Sequence, residues 1–174
     1  GTNAQTVKGG ASANQLTAVA GGTTADVLIG GAGNDTLTAN SGLNTLTGGA
    51  GRDNFVVASV TANVNVYSTI TDFASFDTLT LAAGNTEVFN RTKLTLGNTA
   101  VFQDYANLAT VAATGAANAI ISWFQFGGDT YVVEDNTAAT VYTPATDIIV
   151  KITGLVDLST AGFSSTGAPN LTLA

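Results

Sequence analysis

The chain has 174 residues, of which 45% are hydrophobic and only 10% are charged. Such a composition is typical of a folded domain, because a disordered chain has little apolar surface and much charge. Twelve acidic residues against five basic ones give a formal net charge of −7. The five cations are scattered along the chain, so it has no concentrated basic face, and nucleic acid is excluded as a partner.

Missing residue types narrow the chemistry further. The sequence contains no Cys, no Met and no His, which excludes disulfides, thiol nucleophiles, imidazole acid–base chemistry and soft metal ligands. No apolar run approaches the roughly 18–20 residues that cross a bilayer, so no transmembrane segment is expected. Residues 1–10 also lack the apolar centre of a secretory signal peptide. We expect an export route not marked at this N-terminus, or a longer parent chain.

A nine-residue repeat occupies the N-terminal third of the chain. Four blocks begin at Gly21, Gly30, Ala39 and Gly48 and follow one another without a gap, and a weaker copy begins at Gly9, before an insert at 18–20. The sixth position of each block is polar and the eighth is large and apolar. In block order these positions hold Asn14, Asp26, Asp35, Asn44 and Asp53, and Leu16, Leu28, Leu37, Leu46 and Phe55. The constant phase of the apolar residue indicates a shared interior.

Each block is interpreted as a six-residue turn followed by a three-residue strand whose middle side chain is buried. Glycines in the turn permit positive φ and let backbone carbonyls point toward one place. Two blocks complete one coil, so turns of alternate blocks stack on the same edge. A cation between stacked turns can collect carbonyl oxygens and sixth-position carboxylates, the all-oxygen shell that Ca²⁺ prefers. The predicted fold is therefore all-β, beginning with a parallel β-roll that is closed by calcium.

Alternation of the blocks predicts which turns meet. The Asp35 turn stacks on the Asp53 turn, and this pair is the strongest predicted site. The Asp26 turn stacks on the Asn44 turn, where binding should be weaker because an amide oxygen carries no charge. The Asn14 turn adds a layer on the Asp35 edge if the insert permits. The alternative is a metal-free series of glycine-rich turns, which explains the phased glycine, acid and apolar positions less well.

These nonapeptides resemble the RTX calcium-binding repeats of bacterial proteins that are exported by type I secretion. The segment 70–81 that follows is similar to the region after the repeats in many RTX C-terminal domains, with Asp72-Phe73 and Asp77 at matching places. Phe76 stands where that family commonly has Gly. A calcium role for Asp72 and Asp77 competes with an alternative in which Asp72 caps a turn and Phe73 fills the core.

The resemblance implies a secreted, extracellular protein that folds on meeting external calcium and uses the type I secretion machinery through a C-terminal signal. Residues expected to contribute side-chain or carbonyl oxygens to calcium are Gly21, Gly22, Thr24, Asp26, Gly30, Gly31, Ala32, Gly33, Asp35, Asn44, Gly48, Gly49, Ala50, Gly51, Asp53, Asp72 and Asp77.

The sequence divides into a roll at 1–57 and a β-rich, sandwich-like C-terminal module at 58–174, which carries the secretion signal. Alternating strands on either side of Gly127-Gly128 predict a hairpin. Apolar residues at helical spacing after Asn98-Thr99, a predicted N-cap, indicate one short helix. The hairpin and the strand after Asp147 resemble the C-terminal end of type I-secreted crystalline surface-layer proteins.

No enzyme activity is expected of this chain. Without His or Cys, catalysis would need a Ser–Lys or Thr–Lys pair or two carboxylates in a cleft. The acids Asp129, Glu134 and Asp135 are better explained as turn and strand-end residues. We expect a calcium-dependent structural and secretion domain of a surface-layer protein, which assembles with other copies of itself on the cell surface. The alternative is the C-terminal secretion and folding module of an extracellular RTX hydrolase or adhesin.

Overall fold

The computed structural model describes residues 3–19, 25–57, 63–81, 87–111, 120–137 and 139–174. The predicted ligands Gly21, Gly22 and Thr24 lie outside these ranges. The elements in chain order are β1 (Thr6–Lys8), β2 (Gln15–Thr17), β3 (Val27–Ala32), β4 (Thr36–Ala39), β5 (Thr45–Ala50), β6 (Asn54–Val57), β7 (Ser68–Ile70), β8 (Thr78–Thr80), β9 (Val88–Phe89), α1 (Phe102–Val111), β10 (Ile120–Phe126), β11 (Asp129–Asp135), β12 (Ile148–Ile152), β13 (Gly162–Ser164) and β14 (Asn170–Thr172).

Two sheets form the walls of a parallel coil. Strands β1, β3, β5 and β7 pair in parallel in one sheet, and β2, β4, β6 and β8 pair in parallel in the other. Leu28 lies opposite Leu46 in the first sheet, and Leu37 lies opposite Phe55 in the second. Alternate blocks therefore stack as predicted, and the expected all-β fold with a parallel roll is confirmed.

The eighth-position side chains fill the space between the two sheets. Leu28, Leu37, Leu46 and Phe55 are fully buried, and each contributes about 1.5–3 kcal/mol relative to an exposed position. The weaker first copy joins this column, because β2 pairs with β4 and places Leu16 opposite Leu37. The insert at 18–20 therefore does not prevent the first block from stacking.

Both sheets continue beyond the roll into the C-terminal half. The order of the first is β1-β3-β5-β7-β12-β11-β10-β9, and the order of the second is β13-β14-β8-β6-β4-β2. The predicted hairpin is confirmed as β10 and β11, which turn at Gly127 and Gly128 with φ of 60° and 91°. Trp123 on β10 is buried in the core between the sheets.

The predicted short helix, α1, covers the outer face of the hairpin. Its buried Ala106 and Ala109 belong to a second apolar cluster with Phe124 and Tyr131. The helix begins at Phe102, later than the predicted cap at Asn98-Thr99. Within the described ranges, no helix is long and apolar enough to cross a membrane.

Candidate metal centre in the stacked turns

One edge of the roll carries a ladder of sixth-position side chains. The N–H of Asn14 donates to Oδ1 of Asp35 at 2.7 Å, and the N–H of Asp35 donates to Oδ1 of Asp53 at 2.8 Å. The N–H of Asp53 donates to Oδ1 of Asp77 at 2.9 Å. Each side chain thus uses one oxygen to hold the turn stacked before it. This edge, with the turns 9–14, 30–35, 48–53 and 71–77, is called the Asp35 edge.

Among the described residues, the second carboxylate oxygens of Asp35 and Asp53 have no hydrogen-bond partner. Both atoms, Oδ2 of Asp35 and Oδ2 of Asp53, are buried, and the residues are only 1% and 2% exposed. Withdrawing a charged oxygen from water without a partner is costly, so such a group requires either a proton or a cation. These two oxygens therefore fit a metal-binding role.

Backbone carbonyls of the glycine turns approach the same place. A Cβ added to Gly30 would meet both Oδ2 of Asp35 and the carbonyl oxygen of Gly48. A Cβ added to Gly48 would likewise meet Oδ2 of Asp53. The missing side chains let carboxylate and carbonyl oxygens of adjacent turns converge. This all-oxygen donor set suits Ca²⁺ better than a transition metal.

Positive φ at turn glycines brings adjacent turns into contact. Gly49 has a φ of 99°, and a Cβ there would collide with the carbonyl oxygen of Gly31. Within the described residues, no group of three or more acidic side chains is placed to hold a metal ion. A cation in these turns would therefore take much of its coordination from backbone carbonyls.

The electrostatics of the Asp35 edge match this interpretation. Burial raises the pKa of Asp53; the N–H of Asp35 opposes this rise, and the charges of Asp77, Asp35 and Asp72 add to it. Burial also raises the pKa of Asp77. The raised pKa values mean that the charged carboxylates are disfavoured in these surroundings, and a bound cation would reverse that preference.

The turn 71–77 closes the Asp35 edge with hydrogen bonds. Asp72 accepts the N–H of Gly48 at 2.9 Å and the N–H of Gly49 at 2.8 Å. Both oxygens of Asp77 are also occupied, because Oδ2 accepts the N–H of Ala74 at 2.9 Å. Asp72 and Asp77 therefore lie beside Asp53, but their oxygens are bound to backbone N–H groups.

Asp77 occupies a sixth position that the sequence interpretation missed. Asp77 and Leu79 have the same spacing as Asp53 and Phe55, and Leu79 lies opposite Phe55 in the sheet. The two-residue spacing was available in the sequence, but the long connection after Val57 hid its phase. Phe73 is buried against Phe55, with ring centroids 6.0 Å apart.

The opposite edge of the roll is called the Asn44 edge. Among the residues that the structure describes, its side-chain oxygens accept hydrogen bonds, unlike Oδ2 of Asp35 and Asp53. The N–H of Asp26 donates to Oδ1 of Asn44 at 3.1 Å. The two carboxylate oxygens of Asp26 accept the N–H groups of Gln5 and Val19, both at 2.8 Å. Nδ2 of Asn44 donates to the carbonyl oxygen of Asn40 at 2.7 Å. N–H groups of the protein thus bind the side-chain oxygens of Asp26 and Asn44 and the carbonyl oxygen of Asn40.

The remaining predicted ligands lie in the turns of the Asp35 edge. The N–H of Ala32 donates to the carbonyl of Gly10 at 2.9 Å, and the N–H of Gly33 donates to the carbonyl of Ala50 at 2.8 Å. A Cβ on Gly51 would collide with the carbonyl oxygen of Gly33. These residues align adjacent turns, and their backbone bonds keep Asp35 and Asp53 in register.

A family model agrees with this geometry. Residues 20–55 match the family model of the RTX calcium-binding nonapeptide repeat, in four copies. No curated protein matches the chain significantly. The solution structure of the AlgE6R2 subunit from the Azotobacter vinelandii mannuronan C5-epimerase matches with a TM-score of 0.44 and 22% identity, covering 86% of this chain and 84% of that chain. RTX nonapeptide repeats bind Ca²⁺, so residues 20–55 of this chain are calcium-binding RTX repeats.

Proposed function

We propose that this chain is a calcium-dependent structural and secretion domain of a bacterial surface-layer protein, which folds and assembles outside the cell. In this proposal residues 1–57 are the calcium-binding roll, and residues 58–174 carry the type I secretion signal. The observation that carries the calcium switch is the pair of buried Oδ2 atoms of Asp35 and Asp53, which have no hydrogen-bond partner within the described ranges.

Asp35 and Asp53, with carbonyl oxygens of the turns 30–35 and 48–53, would hold the ion. Bound calcium supplies positive charge that neutralises the two carboxylates and joins adjacent turns. In the cytosol, free calcium is far below the roughly 10⁻⁴–10⁻³ M dissociation constants of extracellular calcium modules. The acidic turns then repel one another, and the chain stays unfolded and competent for export.

Calcium outside the cell would shift this balance toward the folded roll. An ion that binds only the folded turns stabilises them by RT ln(1 + [Ca²⁺]/Kd). Closing the turns brings the column of Leu28, Leu37, Leu46 and Phe55 together, and the later strands extend both sheets from that nucleus. The higher calcium concentration outside the cell thus restricts folding to the exported chain.

Self-assembly is supported by the surface and by the sheet ends. Only 10% of residues are charged, so Thr, Asn and Ala can make contacts between copies with little charge repulsion. Strands β1 and β9 end one sheet, and β2 and β13 end the other. Within the described residues these strands have one side without a strand partner, and such edges can pair with another chain.

Circular dichroism and light scattering during a calcium titration test this function, with electron microscopy to detect ordered layers. As calcium is added to the EDTA-treated chain, we expect the β signal in circular dichroism to rise first and the particle mass in light scattering to rise afterwards. Neither signal should rise in the Asp35→Ala, Asp53→Ala double variant. Asp157→Ala removes an exposed carboxylate outside the turns and should behave like the parent. A full β signal in EDTA would refute the switch. Folding without ordered assembly would refute the surface-layer role and favour a hydrolase or adhesin module.

A further inference from the structure

A groove of about 540 Å³ lies outside the roll turns, along the strand β10. Its lining residues are Arg91, Thr92, Lys93, Trp123, Gln125, Asp157 and Ser159. The segment at 91–93 runs beside β10, because Leu94 forms a parallel bridge with Phe124. The fold thus brings a short basic segment together with hairpin residues some thirty positions later in the chain.

The groove gathers positive charge in an acidic protein. Arg91 and Lys93 are both exposed and are two of the five cations in a chain of net charge −7. Two of the other cations have partners elsewhere: Lys151 pairs with Asp129 at 2.6 Å, and Arg52 lies 4.9 Å from the centroid of an aromatic ring. The negative net charge of the protein repels an anion, whereas Arg91 and Lys93 in this groove attract it.

Hydrogen bonds fix the two cationic side chains in place. Nε1 of Trp123 donates to the carbonyl of Arg91 at 3.2 Å, which ties the basic segment to the buried indole. The Arg91 guanidinium donates to the carbonyl of Ala161. Nζ of Lys93 donates to Oε1 of Gln125 at 2.9 Å. A ligand that meets these groups would lose less side-chain entropy than one that had to order them.

The rest of the lining is polar and uncharged except for Asp157. Thr92, Ser159 and Gln125 carry hydrogen-bond donors and acceptors suited to hydroxyl groups. Asp157 accepts the N–H of Ser159 at 2.9 Å, and that bond, with a smaller effect of Lys93, lowers its pKa. Asp157 therefore stays an acceptor, and its charge makes the groove a poor site for a polyanion.

We propose that this groove binds a carboxylated saccharide, with Arg91 and Lys93 on the carboxylate and the polar rim on the hydroxyls. Arg in particular can bind a carboxylate through two parallel hydrogen bonds. Gln125 has a distinct role, because it contacts Lys93 and also donates to the carbonyl of Val156 at 3.1 Å. It both positions the cation and presents an amide to the sugar.

Isothermal titration with the calcium-loaded chain tests the proposal, using a single galacturonate sugar with one carboxylate, neutral galactose and inorganic phosphate as probes. We expect the galacturonate probe alone to bind. Arg91→Ala and Lys93→Ala should each weaken binding at least tenfold, whereas Lys8→Ala, a cation of β1 outside the groove, should not. Matching melting temperatures would show that the variants are folded.

Three results would overturn the proposal. Failure of galacturonate to bind, or binding that is unchanged in Lys93→Ala, would remove the groove as its site. Equal binding of phosphate would mean a general anion site without sugar recognition. Gln125→Ala separates the two parts of the argument, because it should weaken galacturonate binding while leaving the charges of Arg91 and Lys93 in place.

Discussion

The backbone N–H of Asp35 donates to Oδ1 of Asp53 at 2.8 Å, while Oδ2 of each residue is buried and has no hydrogen-bond partner in the described part of the chain. Asp53 therefore has a structural oxygen and an oxygen suited to a metal. Asp53→Asn keeps an acceptor for the N–H of Asp35 and removes the charge. We expect the calcium affinity of the roll to fall at least tenfold in a calorimetric titration.

Asp26→Asn is the matched control for this variant. Both oxygens of Asp26 accept backbone N–H groups, so the substitution should cost about 1.5–3 kcal/mol of stability through a lost charged hydrogen bond. Calcium affinity should change little. If Asp26→Asn weakened calcium binding more than Asp53→Asn, the assignment of the two edges would be reversed.

Gly30→Ala should obstruct the place where turn oxygens converge. The new Cβ would meet Oδ2 of Asp35 and the carbonyl oxygen of Gly48, so the calcium midpoint of folding should rise severalfold. Gly10→Ala lies in the first turn of the same edge, and its Cβ would meet no atom of the described residues within 4 Å. In a calcium titration followed by circular dichroism, the folding midpoint of Gly10→Ala should stay near that of the parent. An equal shift of the midpoint in both variants would contradict the role of Gly30 in letting the turn oxygens converge.

Asn44→Asp should make the Asn44 edge dependent on calcium. The substitution removes the amide N–H that donates to the carbonyl of Asn40 at 2.7 Å and places a carboxylate opposite Asp26. In EDTA we expect a loss of about 1 kcal/mol, and in calcium a regain of stability with an additional bound ion. Equilibrium dialysis would count the ions. If the number of bound ions did not change and stability fell equally in EDTA and in calcium, then a cation would not replace the amide of Asn44 in holding this edge.

Phe76 carries a backbone strain that glycine would relieve. Its φ is 74°, in the left-handed region, which costs a non-glycine residue about 1–2 kcal/mol. The guanidinium of Arg52 lies 4.9 Å from its ring centroid, a contact worth about 0.5–1 kcal/mol. Phe76→Gly should therefore raise stability slightly, whereas Phe76→Ala keeps the strain, loses the ring and should lower it. Denaturant unfolding in saturating calcium measures both, and equal effects would refute the strain.

Stability should also depend on the protonation of Asp135. Burial raises its pKa from the ordinary 3.8 to about 6; hydrogen bonds from Thr137 oppose the rise, and Asp147 adds to it. The folded state therefore holds a proton that the unfolded state releases. Stability is full below about pH 4 and is lost as pH rises through 6, by up to about 3 kcal/mol.

Asp135→Asn removes this titration and should flatten the decline between pH 4 and 6. Because calcium binding also varies with pH, the quantity to compare is the difference between parent and variant at each pH. Asp104→Asn, at an exposed acid of α1, serves as the control. A parent that loses no stability relative to Asp135→Asn across that interval would show that Asp135 is already charged when folded.

The repeat phase predicted the stacking of Asp35 on Asp53 because the period fixes both the buried residue and the turn acid. The repeat phase could not predict that the amide of Asn44 holds the Asn44 edge together. A sequence shows that Asn44 has an amide, but not which groups the amide oxygen and nitrogen contact in the fold. The groove was also hidden, since Lys93 and Gln125 meet only after the sheet forms. Local spacing reveals a repeated coil, but not contacts made across strands.

Anomalous scattering from crystals grown in calcium tests the central claim most directly. We predict a calcium peak between the turns 30–35 and 48–53, about 2.3–2.6 Å from Oδ2 of Asp35 or Asp53. The peak should disappear, with loss of the ordered roll, when calcium is removed. An ordered roll with no peak between these turns would contradict calcium as the ion that closes it.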